Sequence, residues 1–461
     1  MTVVAQDATG FRPEPVTYAA AMADLLALSS HIIDNNDTDI HPNRVINELS
    51  EIRSDLAIVE SFSHSVVLDT GDGLVAFDTS TGSNGRAVVE QIAGWRTAPV
   101  THLMYTHGHA DHVGGSREFA AVWNNPVVVG HENVAARFDR YAYTNDWNVE
   151  INARQFGGVN PANNLALSPD ELEDDDAVAT TQPRRWNSYI PKGTLRPTIE
   201  VDRHHSMTIG GTTIEAHHAI GETDDHLWFW LPASRTIMAG DFLIWMFPNA
   251  GNPQKVQRYP REWAAALRTM AAMEPELFVP AHGLPITGAD RIARVLDDVA
   301  SALEHLVDTV VAMMNGGATL DAIIHEVDLP ADTLAKPYLR PLYDEPEFVV
   351  RNIWRLYGGW WDGAASRLKP SPDAQLAACI AEMAGGIGPI VARARAAAEA
   401  DDMRLACHLA DIAAWAAPSD ADVHTMRAEI YMARRRTEPS LMAKGIFAAA
   451  ARESSVAAGN T

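Results

Sequence analysis

Short apolar runs alternate with amphipathic stretches between residues 55 and 290, and this alternation predicts an α/β fold. The apolar runs predict strands at residues 55–60, 65–70, 74–78, 100–105, 127–129, 207–209, 212–217, 226–231, 236–239 and 276–279. Stretches with helical spacing lie between them, at residues 86–95, 114–123 and 260–273. Strands and helices that alternate in this way indicate sheets covered by helices.

The pattern changes near residue 290, and from there the chain is predicted to be almost entirely helical. A long amphipathic helix is predicted at residues 292–314, and a Pro- and Gly-rich stretch covers residues 330–372. Further helices are predicted at residues 374–384, 388–400, 403–416, 421–435 and 439–451. Antiparallel helix pairs joined by short loops favour an all-α, TPR-like array.

These patterns predict three parts of the chain. The parts are an N-terminal lead-in at residues 1–45, an α/β domain at residues 46–290 and a helical domain at residues 291–461.

Residues 135–200 interrupt the α/β pattern with an irregular, polar stretch that includes an acidic run at residues 171–176. An insertion of this length either covers an active site or is a plain surface excursion, and the sequence leaves both open. Tyr143, Asn145 and Arg154 are the residues of this stretch that we expect to line a substrate pocket, with a surface location as the alternative.

Charge and composition exclude several classes of function. The chain has 60 acidic and 36 basic residues, a formal net charge of −24, which disfavours binding to nucleic acid. No apolar run is long enough for a membrane span, and the first residues lack the features of a secretory signal. The two cysteines, Cys379 and Cys407, cannot form a disulfide framework or a thiolate zinc site. We therefore expect a cytoplasmic protein, with both cysteines in helix cores.

Three imidazoles and one carboxylate lie within six positions directly after the predicted strand at residues 100–105. His107 and His109 are two positions apart, so both side chains can face the same side. Asp111 and His112 follow around a turn and can reach a second ion. Imidazole suits zinc and other late first-row metals, so this segment predicts a metal site.

The H-x-H-x-D-H segment resembles the motif of the metallo-β-lactamase superfamily, and the similarity covers roughly residues 50–290. The resemblance implies an αββα sandwich and three further metal ligands in matching contexts. Glu222 stands where the family usually has a His, Asp241 ends an apolar run, and His282 precedes a glycine after a late strand.

The resemblance also divides the ligands between two divalent metal ions. It implies a first ion at His107, His109 and Glu222, a second at Asp111, His112 and His282, and Asp241 as the bridge. Zn²⁺ is the expected metal, with manganese or iron as alternatives. Asp78 either orients a ligand histidine or caps a strand end. Such a pair of ions would clamp a shared hydroxide, so that Asp111 and Asp241 act in catalysis.

Glu222 in place of a histidine resembles the alkylsulfatase branch of the superfamily. Residues 354–363 and 368–370 resemble the entry to the alkylsulfatase dimerisation domain, which implies a homodimer formed through the C-terminal helical domain. We therefore expect a binuclear metal-dependent hydrolase of a small organic sulfate ester. The alternative is a hydrolase of another ester, such as a phosphodiester, lactone or carboxylic ester.

The segment after Asp241 departs from that branch. The branch has a His-rich segment that supplies a general acid and then a sulfate-holding Arg, whereas residues 242–249 contain no histidine and Gln254 and Lys255 stand near the Arg place. The bridge is also Asp rather than Glu. His226 is a candidate acid because it follows Glu222 by four residues, and the alternative is a strand histidine facing core or solvent.

Two other classes of protein fit less well. A non-catalytic helical scaffold would not need a complete ligand set, and a diiron redox relative would carry a Glu in the first motif and a flavin module.

Overall fold

The computed structural model describes residues 24–156 and 188–459. A seven-stranded sheet comes first in the chain, with its strands side by side in sequence order. Its strands are β1 (Leu49–Arg53), β2 (Leu56–Val59), β3 (Ser65–Asp69), β4 (Leu74–Phe77), β5 (Val100–Met104), β6 (Val127–His131) and β7 (Ile199–Val201). Strands β1 to β4 are antiparallel, whereas β4 to β7 are parallel.

A second sheet of six strands follows. Its strands are β8 (His204–Ile209), β9 (Thr212–His218), β10 (Leu227–Leu231), β11 (Thr236–Gly240), β12 (Leu277–Pro280) and β13 (Ile286–Thr287). The order across the sheet runs from β13 to β8, and all neighbours are antiparallel except β11 and β12. Strand β8 is therefore an edge strand.

Helices of four or more residues account for most of the remaining described chain. They are α1 (Leu25–Asn35), α2 (Gly85–Trp95), α3 (Ala110–Val113), α4 (Ser116–Trp123), α5 (Asn133–Tyr143), α6 (Asn145–Phe156), α7 (Pro260–Ala272), α8 (Ala289–Asn315), α9 (Leu320–Glu326), α10 (Ala331–Leu334), α11 (Pro346–Gly358), α12 (Ala365–Leu368), α13 (Asp373–Met383), α14 (Ile387–Glu399), α15 (Met403–Ala416), α16 (Ala421–Thr437) and α17 (Leu441–Ala457).

Side-chain alternation along β2 shows how the first sheet separates two apolar layers. Leu56 and Ile58 join the core shared with the second sheet, whereas Ala57 and Val59 join the core beneath α2 and α4. The second sheet is covered in turn by α7 and α8, since Trp263 of α7 belongs to the shared core. The expected αββα sandwich is confirmed.

The C-terminal helices form a core of their own, built largely from alanine. Ala394, Ala406, Ala410 and Ala413 are fully buried in it. The helices α13 to α17 agree closely with the predicted ones, so the helical C-terminal region is confirmed, while the TPR-like description stays an interpretation. The predicted boundary at residue 290 also stays a prediction, because α8 packs both against the helix α7 of the α/β part and against the later helix α11.

Several elements differ from the sequence-based expectation. Residues 133–156 form α5 and α6, so the expectation of an irregular stretch from residue 135 was wrong there. The Pro- and Gly-rich stretch holds α11, because Pro346 occupies the first helical turn, where proline is tolerated. Cys379 lies on a helix as expected but is exposed, not in the core. The acidic run at residues 171–176 lies outside the described residues.

No single helix in the described parts of the chain is long and apolar enough to span a bilayer. Taken together, α13 and α14 have the length and apolar composition of a span, but the two helices are bent by 96° relative to each other.

Candidate metal centre

The loop between β5 and α3 presents its histidines because the backbone turns sharply there. Gly108 permits the turn, since a Cβ on it would lie 2.9 Å from the Asp225 carboxylate. The Gly108 N–H donates to that carboxylate at 3.0 Å, and Arg137 also donates to it at 2.8 Å. These buried contacts fix the loop, and His107 and His109 extend from it on either side of Gly108.

Seven side chains from four stretches of chain converge in two adjacent groups of possible metal ligands. One group holds His107, His109, Glu222 and Asp241, and the other holds Asp111, His112 and His282. Within each group, one ligand atom from every residue lies within 4.8 Å of the others. Asp241 belongs to the first group, and its carboxylate also reaches the second. The side chains thus fall into the two groups that the family resemblance implies for two ions.

Distances between ligand atoms in the second group match those around a tetrahedral ion. Bonds of about 2.0–2.1 Å to such an ion place neighbouring ligand atoms about 3.3–3.4 Å apart. In the second group, His112 Nε2 lies 3.4 Å from Asp111 Oδ2, and His282 Nε2 lies 3.5 Å from the same atom. Spacing in the first group is less even, since His109 Nδ1 lies 2.7 Å from His107 Nε2 and 3.6 Å from Glu222 Oε1.

The Asp241 carboxylate lies between the two groups. Its Oδ2 is 3.4 Å from His112 Nε2 and 3.9 Å from His107 Nε2, and its Oδ1 is 3.5 Å from His282 Nε2. Burial alone would raise the pKa of Asp241, but the imidazoles of His112 and His282 lower it well below its usual range. An ionised carboxylate in this position suits a bridge between two cations.

Buried ligand atoms without hydrogen bonds also fit bound metal. Among the described residues, His112 Nε2, Glu222 Oε2 and Asp241 Oδ1 are shielded from solvent and have no hydrogen-bond partner. Buried polar atoms are rarely left unpaired because this costs about 1–3 kcal/mol each. These three atoms point into the two ligand groups, so the residues present fit a pair of divalent ions.

Contacts behind the ligands fix their orientation. His112 Nδ1 lies 2.8 Å from Asp78 Oδ2, and Asp78 also accepts hydrogen bonds from the Thr106 N–H and hydroxyl at 2.8 and 2.7 Å. His282 Nδ1 lies 2.7 Å from the Phe62 carbonyl oxygen, so it donates there. Both rings therefore present Nε2 to the metal position. Asp78 has a φ of +57°, a strained conformation that these hydrogen bonds maintain.

Glu222 sits in a polar cage of its own. Asn249 Nδ2 donates to Glu222 Oε1 at 2.5 Å, and Arg258 Nη1 lies 2.8 Å from the same oxygen. Burial raises the pKa of Glu222 to about 8, although Arg258 opposes that shift. A cation bound at the opposite oxygen, Oε2, would favour the ionised form.

Two family models match the chain in succession. The model of the metallo-beta-lactamase superfamily matches residues 58–282, which contain all seven ligands, and the alkyl sulfatase dimerisation model matches residues 319–456. The chain thus joins a metallo-beta-lactamase domain to an alkyl sulfatase dimerisation domain.

Curated alkylsulfatases are similar to this chain at modest identity. A linear primary-alkylsulfatase from a Pseudomonas strain is 26% identical over 69% of this chain and 60% of its own length. An (R)-specific secondary-alkylsulfatase from Pseudomonas is 24% identical over 80% of this chain and 56% of its own. The chain therefore spans a little over half the length of these relatives. A solved stereoselective inverting sec-alkylsulfatase from Pseudomonas has the same fold, with a TM-score of 0.75, 21% identity, and coverage of 90% of this chain and 66% of its own.

A cavity of about 330 Å³ opens over the metal centre of the metallo-beta-lactamase domain. Residues of both ligand groups line it, including Asp111, Glu222 and Asp241. The remaining wall combines polar side chains with apolar ones. The polar set includes Asn152, Gln155, Asn249, Asn252, Lys255 and Arg258, and the apolar set includes Phe62, Phe156, Ile244 and Met246.

His226 does not reach this cavity, so the structure corrects its expected role as a general acid. Its ring is fully buried, stacks on Phe242 at 4.2 Å, and packs behind His107 at 4.6 Å. Its Nε2 accepts a hydrogen bond from the Asp241 N–H at 3.2 Å. Burial lowers the pKa of His226 to about 3. A neutral ring in this position supports the backbone of Asp241 and takes no part in the cavity lining.

The expected substrate residues Tyr143, Asn145 and Arg154 do not line the cavity. Tyr143 is 90% exposed. Asn145 Oδ1 accepts a hydrogen bond from the Tyr189 N–H at 2.9 Å, and Arg154 donates to Gln254 at 3.1 Å. Asn145 therefore contacts the cavity wall from behind through Tyr189, whereas Arg154 bonds to a residue outside the cavity lining.

Sequence reasoning missed several residues that line the cavity, and Lys255 and Tyr189 are the clearest cases. Lys255 Nζ donates to Asn152 Oδ1 at 2.9 Å and lies over the Tyr189 ring at 5.3 Å. Burial, with help from the Arg258 cation, lowers the pKa of Lys255 to about 7. The position of Lys255 near the place of the family's Arg was the only sequence signal for it, and Tyr189 gave none.

Proposed function

We propose that this chain is a metal-dependent hydrolase that acts on an organic sulfate ester. The observation that carries the proposal is the shared cavity, in which both ligand groups face the same space as the cations Lys255 and Arg258. The named activities of the curated relatives support the same reaction.

Two divalent ions at these ligands, with Zn²⁺ as the expected metal, would supply Lewis acidity for an ester oxygen and a hydroxide nucleophile shared between them. The chain's own part is to hold three carboxylates and four imidazoles in place. Asp78 and the Phe62 carbonyl fix the ligand rings, and the His226 ring holds the backbone of Asp241. This arrangement needs no serine or cysteine nucleophile.

Lys255 is the group we assign to the anionic end of the substrate. Arg258 already pairs with Glu222, whereas Lys255 has no carboxylate within ion-pair distance among the described residues. Its hydrogen-bond acceptor is the neutral Asn152, so its charge is available to a sulfate oxygen. With a pKa of about 7, Lys255 also carries a proton that it can lose near neutrality, which suits a donor to the leaving oxygen.

The apolar wall gives the cavity a second recognition element. Phe62, Phe156, Ile244 and Met246 line the same space as the cations, and Ile244 and Met246 are buried. An apolar substituent of the ester would leave water on binding them, which contributes about 25 cal/mol for each Å² buried. An alkyl sulfate combines an anionic end with such a substituent.

A second candidate is the hydrolysis of another ester at the same metals. The feature that favours it is the absence of histidine from residues 242–258, where the alkylsulfatase branch carries its acid. A phosphodiester, a lactone or a carboxylic ester would use the same metal ligands.

We also propose that the chain forms a homodimer through its C-terminal helices, supported by the match to the dimerisation domain. The expected location remains the cytoplasm, where unpaired cysteines such as Cys379 and Cys407 are usual.

A substrate panel tests the reaction. Zinc-loaded protein is incubated with primary and secondary alkyl sulfates, a phosphodiester, a lactone and a carboxylic ester, with chelator-treated protein as the control. Release of inorganic sulfate that depends on metal is the expected result. Turnover of a lactone or phosphodiester without any sulfate release would contradict the sulfatase assignment.

A further inference from the structure

A third group of metal-ligating side chains lies outside the cavity, on the hairpin formed by β8 and β9. It consists of His204, Glu215 and His217, whose ligand atoms lie within 4.8 Å of one another. None of the three lines the cavity over the metal centre. The function proposed above leaves this group unused.

Strand pairing brings the three side chains to one face of the sheet. His204 of β8 lies directly opposite His217 of β9 in the antiparallel register. Glu215 precedes His217 by two residues, so both point to the same side of β9. Ala216 between them points the opposite way, into the core between the sheets. The group therefore occupies the outer face at the edge of the second sheet.

The ring of His217 is held in place and its free nitrogen has no hydrogen bond. The ring stacks on Trp228, the residue paired with it on β10, with centroids 4.3 Å apart and an interplanar angle of 11°. His217 Nε2 is shielded from solvent and makes no hydrogen bond with the described residues. A nitrogen in this state gains a partner if a cation binds between it and its neighbours.

Distances in the group are close to those required around one ion. His217 Nε2 lies 3.4 Å from Glu215 Oε2, which matches the spacing of about 3.3–3.4 Å expected for a tetrahedral site. His204 Nε2 lies 3.9 Å from the same oxygen. His204 is half exposed on the edge strand, so a small rotation of its ring closes that gap.

We propose that His204, Glu215 and His217 bind a third divalent ion of the late first-row class, such as Zn²⁺, Ni²⁺ or Cu²⁺. Two imidazoles and one carboxylate prefer these ions over Mg²⁺ or Ca²⁺, which prefer oxygen ligands. Three protein ligands leave one tetrahedral position for water. The ion ties the edge strand β8 to β9 and stabilises the sheet edge by binding only the folded state.

Metal uptake by the full-length untagged chain tests this site. The protein is dialysed against increasing free Zn²⁺, and bound zinc is counted by elemental analysis for wild type, His217→Ala and His204→Ala. The matched control is His205→Ala, because His205 is the next residue of the same strand and points to the opposite face. We expect wild type and His205→Ala to bind three ions, and the two other variants to bind two.

The two ions of the metal centre serve as an internal measure of folding in each variant. If His217→Ala loses those as well, His204→Ala decides the result, since His204 is exposed and supports no core contact. Co²⁺ replacement gives a second readout, because the third ion adds a visible absorption band that both variants lack. Equal uptake by wild type and both variants, or no third ion in wild type at about 100 µM free zinc, would overturn the proposal.

Discussion

The metal centre and the C-terminal helices differ in which side chains they bury and which they expose. At the metal centre, ionisable groups such as His107, His112 and Asp78 are almost completely buried. In the helical region the core is alanine, while Trp360, Met383 and Trp415 are 70%, 76% and 41% exposed. Buried charge is costly unless a counter-ion or partner compensates for it, and exposed aromatic surface is costly unless another surface covers it. This contrast supports the proposals that the first region binds metal and that the second contacts another chain.

The largest expected effect comes from removing a shared ligand of the metal centre. Asp241→Ala deletes the carboxylate between the two groups and leaves His112 and His282 without their bridging anion. We expect metal-dependent turnover of an alkyl sulfate to fall at least about a thousandfold, equivalent to about 4 kcal/mol of transition-state stabilisation. Steady-state kinetics with matched zinc measure it, and exposed His325→Ala is the control. Activity within tenfold of wild type would contradict a role for Asp241 in the centre.

A smaller effect is expected from the residue that orients His112. Asp78→Asn keeps a side chain that tolerates the positive φ of this position, but it removes the negative charge that His112 faces. We expect the affinity for the ion at Asp111, His112 and His282 to fall about 10–100-fold, while the ion at the other group stays. Competition with a chelator of known affinity separates the two ions. Equal weakening of both would mean that Asp78 supports the fold rather than one ligand.

Lys255 offers a test through pH. Its pKa of about 7 lies below that of a free lysine, so its positive charge is present at lower pH and is lost as pH rises through about 7. We expect KM for an alkyl sulfate to rise with pH across this range in wild type. Lys255→Arg should keep the charge and flatten the profile, and Lys255→Gln should raise KM about 10–100-fold at pH 6. A wild-type profile that Lys255→Arg leaves unchanged would contradict the assignment.

The smallest effect on catalysis is expected from the helical region. If Trp415 packs against a second chain, Trp415→Ser should raise the dissociation constant of the dimer about 10–100-fold and leave turnover within about twofold. Sedimentation velocity over a range of concentrations measures the association. Substitution of Val122, an exposed apolar residue of the α/β part, by serine is the control. A monomeric wild type would contradict the proposed homodimer.

Predictability differed between the parts of the molecule for physical reasons. The ligands His107 to His112 lie in one short segment between a strand and a helix, so local spacing was enough to identify them. Glu222, Asp241 and His282 were found only because family contexts marked their positions. They converge in the structure because the start of β10, which Glu222 precedes, and the ends of β11 and β12 lie at the same edge of the second sheet.

The residues of the cavity wall could not be predicted from local sequence in the same way. Lys255 and Tyr189 reach the cavity through long-range packing, and Tyr189 is placed by Asn145, 44 residues earlier. His226 was considered as an acid because it follows Glu222 by four residues, but this spacing does not show whether the ring faces the cavity. In the structure the ring stacks on Phe242 instead. The helices α5 and α6 were missed because their polar residues masked the helical spacing.

Anomalous diffraction from crystals of zinc-loaded protein tests the two-metal centre most directly. We predict two anomalous peaks about 3.5–4 Å apart, with Asp241 between them. One peak should lie among His107, His109 and Glu222, and the other among Asp111, His112 and His282. A folded protein with no peak, or only one, at these side chains would contradict it.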